Sequence, residues 1–372
     1  MALNFLITKL SLLPHLFRPT YDAIFSTLPF HYRWRLLLQP LAFLSALISS
    51  PHWLLNNRTS VLYIPTRSGP KRCLVWHPHY PGSGKLGKEK RLVPLHVDMH
   101  GGAWVAGFPE QNARWCQYLC EKTGAVVVSC SYRFAPRHPF PAAHDDVDDI
   151  VSWLVSHAGD LGADASLLTL GGSSAGGNLA LSAAQSLQQQ NGVLGPTRVK
   201  GYVGFYVPVN LRMGPEEKPR PPNYPARDPL AFMLPLYDAY ARNNRQSNWD
   251  DPRLNTLTAE VNKLPKKMLF VVAGIDILAH EQLSFTRRLK EDAERQEVDD
   301  RYHVEVKVWD KGFHGWLECR CTSESDKNPE MANGNIVPSS VLERERMEAF
   351  NMSVGFIRCL HAEHGFVART EL

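Results

Sequence analysis

The chain has 372 residues, 44% hydrophobic and 21% charged, an ordinary globular balance with enough apolar material for a sizeable core. A formal net charge of +4, without any run of interleaved basic and aromatic residues, excludes a nucleic-acid-binding composition. Seven cysteines, an odd number in a long chain, exclude a disulfide framework and point to free thiols in a reducing compartment.

Residues 1–58 form an apolar N-terminal segment. The first fourteen residues are interrupted by Thr8 and Lys9 and have no basic leader or small-residue cleavage site, a poor fit to a secretory signal. A second apolar run, Leu36 to Leu55, nearly reaches bilayer length but contains Gln39, Pro40, Ser49, Ser50, Pro51 and His52. Three readings stay open for it: a membrane span, an interfacial helix, and helices covering a pocket. Asn57-Arg58-Thr59 is a glycosylation sequon, relevant only on a secretory route.

From residue 61 the pattern alternates strand and helix. Strands are expected at Val61–Ile64, Arg72–Trp76, Val93–Met99, Gly124–Tyr132, Ser166–Leu170, Gly201–Val207, Lys267–Ala273 and Val304–Trp309. Helices are expected at Pro141–His157, Ala175–Gln190 and from Ser340, where Ser340 and Glu343 fit a capping box and Leu342, Phe350, Val354 and Ile357 share a face. Asp145, Asp146, Asp148 and Asp149 read as charge favourable to a helix start rather than as a metal site. This alternation predicts an α/β fold with a mainly parallel sheet. Residues 211–264, rich in Pro and Asn, fall outside it, and Thr322–Pro338 reads as a surface loop.

The strongest chemical signal is Gly172-Ser173-Ser174-Ala175-Gly176-Gly177, between a strand and a helix. G-x-S-x-G in that context is a nucleophile elbow: small neighbours permit a sharp turn that lifts the serine above the sheet. The turn also puts the Ala175 N–H at a helix start, where an oxyanion is stabilised. His100-Gly101-Gly102-Ala103-Trp104 follows the strand ending at Met99, and residues without side chains let backbone N–H groups approach such an oxyanion. Gly82, Gly87 and Lys88 spell G-x-x-x-x-G-K, but Glu89 replaces the required Ser or Thr and a strand follows, which argues against nucleotide binding.

These motifs resemble the hormone-sensitive-lipase-like carboxylesterases, also called alpha/beta hydrolase fold-3. His100-Gly101-Gly102 stands for that family's H-G-G-G, and Ser131 to Ala143 (SYRFAPRHPFPAA) for its Y-R-L-A-P-x-x-P-F-P-A-A. The elbow stands for G-D-S-A-G-G, Gly274-Ile275-Asp276-Ile277-Leu278 for G-x-D-x-L, and Phe313-His314-Gly315-Trp316 for H-G-F. There are three departures: Ala103 replaces the third glycine, Ser173 an acid beside the nucleophile, and His280 a second aspartate.

The resemblance implies an α/β-hydrolase fold with a helical cap and a triad of Ser174, Asp276 and His314. It implies an oxyanion hole from Gly101, Gly102, Ala103 and Ala175, with His100 bracing that loop. The order Ser, Asp, His and the positions of Asp276 and His314 after buried strands agree with it; Asp310, four residues before His314, is the rival acid.

The domain expectation is an N-terminal segment over 1–58, part of the cap or membrane-associated. A catalytic domain over 59–372 follows, with a cap insertion at about 211–264. Phe205, Tyr206, Phe232, Met233 and Leu234 favour a hydrophobic substrate unless they are cap core. The expected activity is hydrolysis of a small-to-medium hydrophobic carboxylic ester through an acyl-enzyme, with no cofactor and no metal. Alternatives on the same triad are a lactonase, an amidase or formamidase, and an acyl-transfer or cyclisation enzyme. A non-catalytic ligand receptor is disfavoured by the retained His314. The expected partner is a small-molecule ester and no nucleic acid. Peripheral membrane contact through the N-terminal segment and a homodimer are left open. The expected location is cytoplasmic, with association to an internal membrane also open.

Overall fold

The computed structural model describes residues 6, 9–40, 59–78, 92–189, 199–224, 231–298, 302–318 and 339–368. Outside them lie most of the Leu36–Leu55 run, Asn57 and Arg58 of the sequon, the Gly82–Glu89 loop, Cys319, Cys321 and the Thr322–Pro338 segment.

Eight strands form one sheet: β1 (Thr59–Ile64), β2 (Lys71–Trp76), β3 (Val93–Met99), β4 (Val126–Cys130), β5 (Ala163–Ser173), β6 (Gly201–Phe205), β7 (Lys267–Ala273) and β8 (His303–Trp309). Their order is β1-β2-β4-β3-β5-β6-β7-β8. β2 runs antiparallel to both β1 and β4, and every other pair is parallel. Among the described residues the helices are α1 (Leu13–Phe25), α2 (Phe30–Leu36), α3 (Ala113–Thr123), α4 (Ala142–Ser156), α5 (Ala175–Gln189), α6 (Leu234–Tyr237), α7 (Ala279–Arg295) and α8 (Ser339–Glu363).

Alternation across the strands explains the layers. Leu74, Trp76, Val127, Val203, Leu269 and Val271 point to one face, where Trp115 and Leu119 of α3 meet Phe350, Val354 and Ile357 of α8. On the opposite face Val75, Leu95, Val97, Leu168, Leu170 and Phe270 pack against α4, α5 and α7. Burial on both sides is why these strands read as continuous apolar runs. The expected α/β class and the apolar face of α8 are both observed, with Leu342, Phe350, Val354 and Ile357 buried.

Several elements differ from the sequence expectation. β5 runs to Ser173, because β3 and β6 pair with Gly172 on both sides. Helix α3 was concealed by cysteines: Cys116 and Cys120 are buried helix-face residues beside Trp115 and Leu119. Helix α7 carries many charges, and Ala279, Glu281, Gln282, Phe285, Thr286, Leu289 and Ala293 are its buried residues, with Glu281 paired to Lys218. The four acids of α4 all find cations: Asp146 takes Arg133, Asp149 takes Arg67, and Asp145 and Asp148 share Arg253.

Residues 211–224 and 231–264 form short turns around α6, which packs against α2. Arg35 Nε donates to the Phe232 carbonyl at 2.5 Å, and Trp34 stacks on Phe232 at 6.2 Å. Phe205 is core, edge-on to Trp115 at 5.2 Å. Among the described residues no helix is long and apolar enough to cross a membrane.

Candidate active site

Four loops leave the carboxyl ends of β3, β5, β7 and β8 at one edge of the sheet, the usual ligand-binding edge of an open α/β sheet. They carry His100–Trp104, Ser174, Asp276 and His314 respectively.

Ser174 occupies the left-handed region, φ 51°, between β5 and α5. Its N–H donates to the Phe205 carbonyl at 2.9 Å. The turn closes only around glycine: a Cβ on Gly176 would lie 2.0 Å from the Met99 carbonyl oxygen, and one on Gly172 2.6 Å from the same atom. The sequence therefore forces the serine outward, toward His314.

Ser174 Oγ stands 2.9 Å from His314 Nε2, and His314 Nδ1 stands 2.7 Å from Asp276 Oδ2. Asp276 is buried, and its second oxygen accepts the Leu278 N–H at 3.0 Å. Desolvation disfavours the imidazolium, but the charge and hydrogen bond of Asp276, helped by Glu318, outweigh it and hold His314 above its ordinary pKa. The rival Asp310 is exposed, and so is His280.

The oxyanion loop lies against the serine: a Cβ on Gly101 would lie 3.3 Å from Ser174 Cβ. Gly102, Ala103 and Trp104 have φ of 121°, 52° and 57°. Ala103 thus adopts a conformation that favours glycine, held by its neighbours. Val105 and Ala106 donate to the Gly102 carbonyl, and the Trp104 ring stacks on Tyr240 at 5.0 Å. His100 is fully buried, stacked on Tyr132 at 4.6 Å, and Tyr132 Oη donates to its carbonyl at 2.8 Å. These contacts make His100 a brace. Ala175 opens α5, so its N–H has no partner within the helix.

Sequence reasoning missed two polar groups here. Glu318 accepts a hydrogen bond from the Tyr206 hydroxyl, and the neighbouring Ser173 hydroxyl donates to Asn112 Oδ1 at 3.4 Å. Burial raises its pKa, against the pull of Tyr206, Ser173 and His314. Tyr206 itself meets the His314 ring edge-on at 5.2 Å. The available signals were a carboxylate four residues past His314 and a serine where the family carries an acid. The second group is His144, fully buried, bonded to Tyr240 Oη at 2.7 Å and Asn178 Oδ1 at 3.1 Å, and pushed by burial to about 3. It ties α4 to α5 and to residues near 240.

A family model described as alpha/beta hydrolase fold matches residues 96–318. The chain is similar to a carboxylic ester hydrolase of Mycobacterium tuberculosis, 32% identical over 241 residues, covering 60% of this chain and 57% of that protein. It is similar to an ethyl acetate hydrolase of Pseudomonas putida, 29% identical over 195 residues, covering 52% and 59%. In both cases the match spans less than two thirds of the relative's own length. Among solved structures it resembles an esterase of Pyrobaculum calidifontis at 25% identity and TM-score 0.61, covering 83% of this chain and 91% of that one. The chain belongs to the hormone-sensitive-lipase-like alpha/beta hydrolase fold-3 family.

Proposed function

We propose that the protein is a serine carboxylic ester hydrolase acting on a small-to-medium hydrophobic ester. The observation that carries this reading is the continuous hydrogen-bonded line from Ser174 Oγ through His314 to Asp276. Ser174 attacks the ester carbonyl while His314 Nε2 takes its proton. Asp276 keeps the proton of Nδ1 in place and stabilises the imidazolium. Backbone N–H groups of the Gly101–Ala103 loop and of Ala175 receive the oxyanion. His314 then passes the proton to the leaving alkoxide, and a water activated by the same nitrogen releases the acid.

In this reading residues 211–264 and the N-terminal helices cap the pocket, joined through Arg35 and Phe232. The N-terminal segment also makes peripheral contact with a membrane. Glu318 is a positioning residue that adds negative charge behind His314.

Two experiments test the assignment. The intact protein should hydrolyse p-nitrophenyl butyrate and, on treatment with a fluorophosphonate, gain one adduct that peptide mass spectrometry places on Ser174. An adduct elsewhere, or none with full esterase activity, would overturn the nucleophile. Glu318→Gln should move the acid limb of the kcat/KM profile to lower pH, because neutral His314 is the active form and Glu318 raises its pKa. Adding Ser173→Asp to that variant should move the limb back. An unchanged limb would reduce Glu318 to a packing residue.

A further inference from the structure

Helix α1 turns an apolar face to water. Its inner side buries Pro19, Asp22 and Ala23, whereas Leu13, Phe17, Tyr21, Ile24 and Phe25 are 44–71% exposed. Leu6 and Leu10 precede it, each 52% exposed. Within α1 the steps from 13 through 17, 21 and 24 are three or four residues, one helical stripe, and a turn at residues 11–12 separates it from Leu10. A helix on a globular surface usually presents polar groups there, and a contiguous apolar row marks a contact surface.

The charge around the stripe is one-sided. Between residues 6 and 40 the ions are Lys9, Arg18, Arg33 and Arg35 against Asp22, so 4 − 1 = +3. Beside α1 lies a cleft of about 380 Å³ lined by Arg18, Tyr63, Lys71, Arg133 and His138 among others. The carboxylates paired with its cations are oversubscribed. Asp146 is shared by Lys71 and Arg133, Asp22 by Arg18 and Arg137, and Arg72 is paired with Glu110, so five cations meet three acids. His138 lies 3.3 Å from Arg18 Nη2. Desolvation, then the neighbouring guanidinium groups of Arg18, Arg133 and Arg137, pull His138 below its ordinary pKa, with Asp22 opposing. Lys71 is lowered by burial too, with Asp146 opposing and Arg133 and Arg18 adding to the fall. A bound anion would relieve this surplus. Arg18 joins the two features, since it lines the cleft and follows Phe17 on α1.

We propose that α1 docks on an anionic phospholipid bilayer, its Leu13–Phe17–Tyr21–Ile24 stripe among the acyl chains and one headgroup phosphate in the Arg18–Lys71–Arg133 cleft. The proposal rests on the peripheral-contact reading and is independent of the hydrolase chemistry. Amphipathic helices bind membranes through buried apolar area plus attraction to anionic lipid, so both halves are needed. Because α2 is tied to Phe232, docking also brings residues 231–237 to the bilayer surface, where an apolar ester would be dissolved.

The test is flotation of the full chain with phosphatidylglycerol-containing vesicles and with pure phosphatidylcholine vesicles, over a series of salt concentrations. Binding should favour the anionic vesicles and weaken as salt screens it. Arg18→Glu with Lys71→Gln should weaken binding by about fivefold for each cation lost. Phe17→Ser with Tyr21→Ser should abolish flotation, and thermal melts should show that both variants fold. Equal, salt-independent binding to both vesicles would overturn the headgroup site and leave peripheral contact standing. No binding by the intact chain would sink both. Calorimetric binding of inorganic phosphate without vesicle binding would reassign the cleft to a free anion. A dimer in sedimentation, lost on Phe17→Ser with Tyr21→Ser and with no vesicle binding, would give the stripe to a second copy.

Discussion

Replacing Ser174 with Ala should lower kcat by about 10⁴-fold or more toward p-nitrophenyl esters, with thermal stability nearly unchanged. The loss follows from the missing nucleophile: His314 would have no hydroxyl to deprotonate, and only uncatalysed attack by water against the oxyanion loop would remain. The fold should survive because the strain at Ser174, φ 51°, lies in the backbone and is fixed by Gly172, Gly176 and the bond to the Phe205 carbonyl. Only the bond to His314 leaves with Oγ. Steady-state kinetics with matched melting curves decide the matter. A variant that keeps a tenth of the activity would mean that another group attacks.

Asp276→Asn should produce a loss of similar order, about 10⁴-fold in kcat, with KM little affected. Both oxygens of Asp276 accept hydrogen bonds, Oδ2 from His314 Nδ1–H and Oδ1 from the Leu278 N–H. An asparagine has one acceptor and one donor at those places. Either way round, its NH₂ faces an N–H. Turning the imidazole into its other tautomer relieves the clash at His314, but Nε2 then carries a proton and cannot receive one from Ser174. The lost negative charge also lowers the His314 pKa, so the acid limb of the residual activity should move to lower pH. Rate–pH profiles of both proteins provide the check. Near-normal activity in Asp276→Asn would hand the role to a different acid.

Much of the candidate site was legible because its constraints are local. A serine on a strained turn needs Gly172 and Gly176 within a few residues, and a backbone donor loop needs Gly101 and Gly102. Both therefore leave sequence patterns. The parallel strands were legible for a related reason, since burial on both faces leaves unbroken apolar runs such as Met268–Ala273. Groups whose partners are distant in sequence were not legible. Glu318 acquires meaning only when Tyr206, 112 positions away, donates to it. His144 likewise needs Tyr240, 96 positions away. Helix α1 is a different case. It was not among the expected helices, and its apolar row turns to water rather than to a core, with Asp22 and Ala23 buried instead.

The stack of Trp104 on Tyr240 has a consequence for how such an enzyme can diversify. Tyr240 is also bonded to His144, which holds Asn178 on the helix that begins beside the nucleophile. Asn178 in turn donates to the carbonyls of Pro208 and Leu254, at the roots of the 211–264 segment. The segment that would shape substrate preference and the loop that would hold the oxyanion therefore share a single set of aromatic and polar joints. On the proposed function, substrate range and turnover would be coupled traits. New preferences should arise more readily at outlying positions such as Phe232 than at Tyr240, where every change is also felt by the catalytic loop.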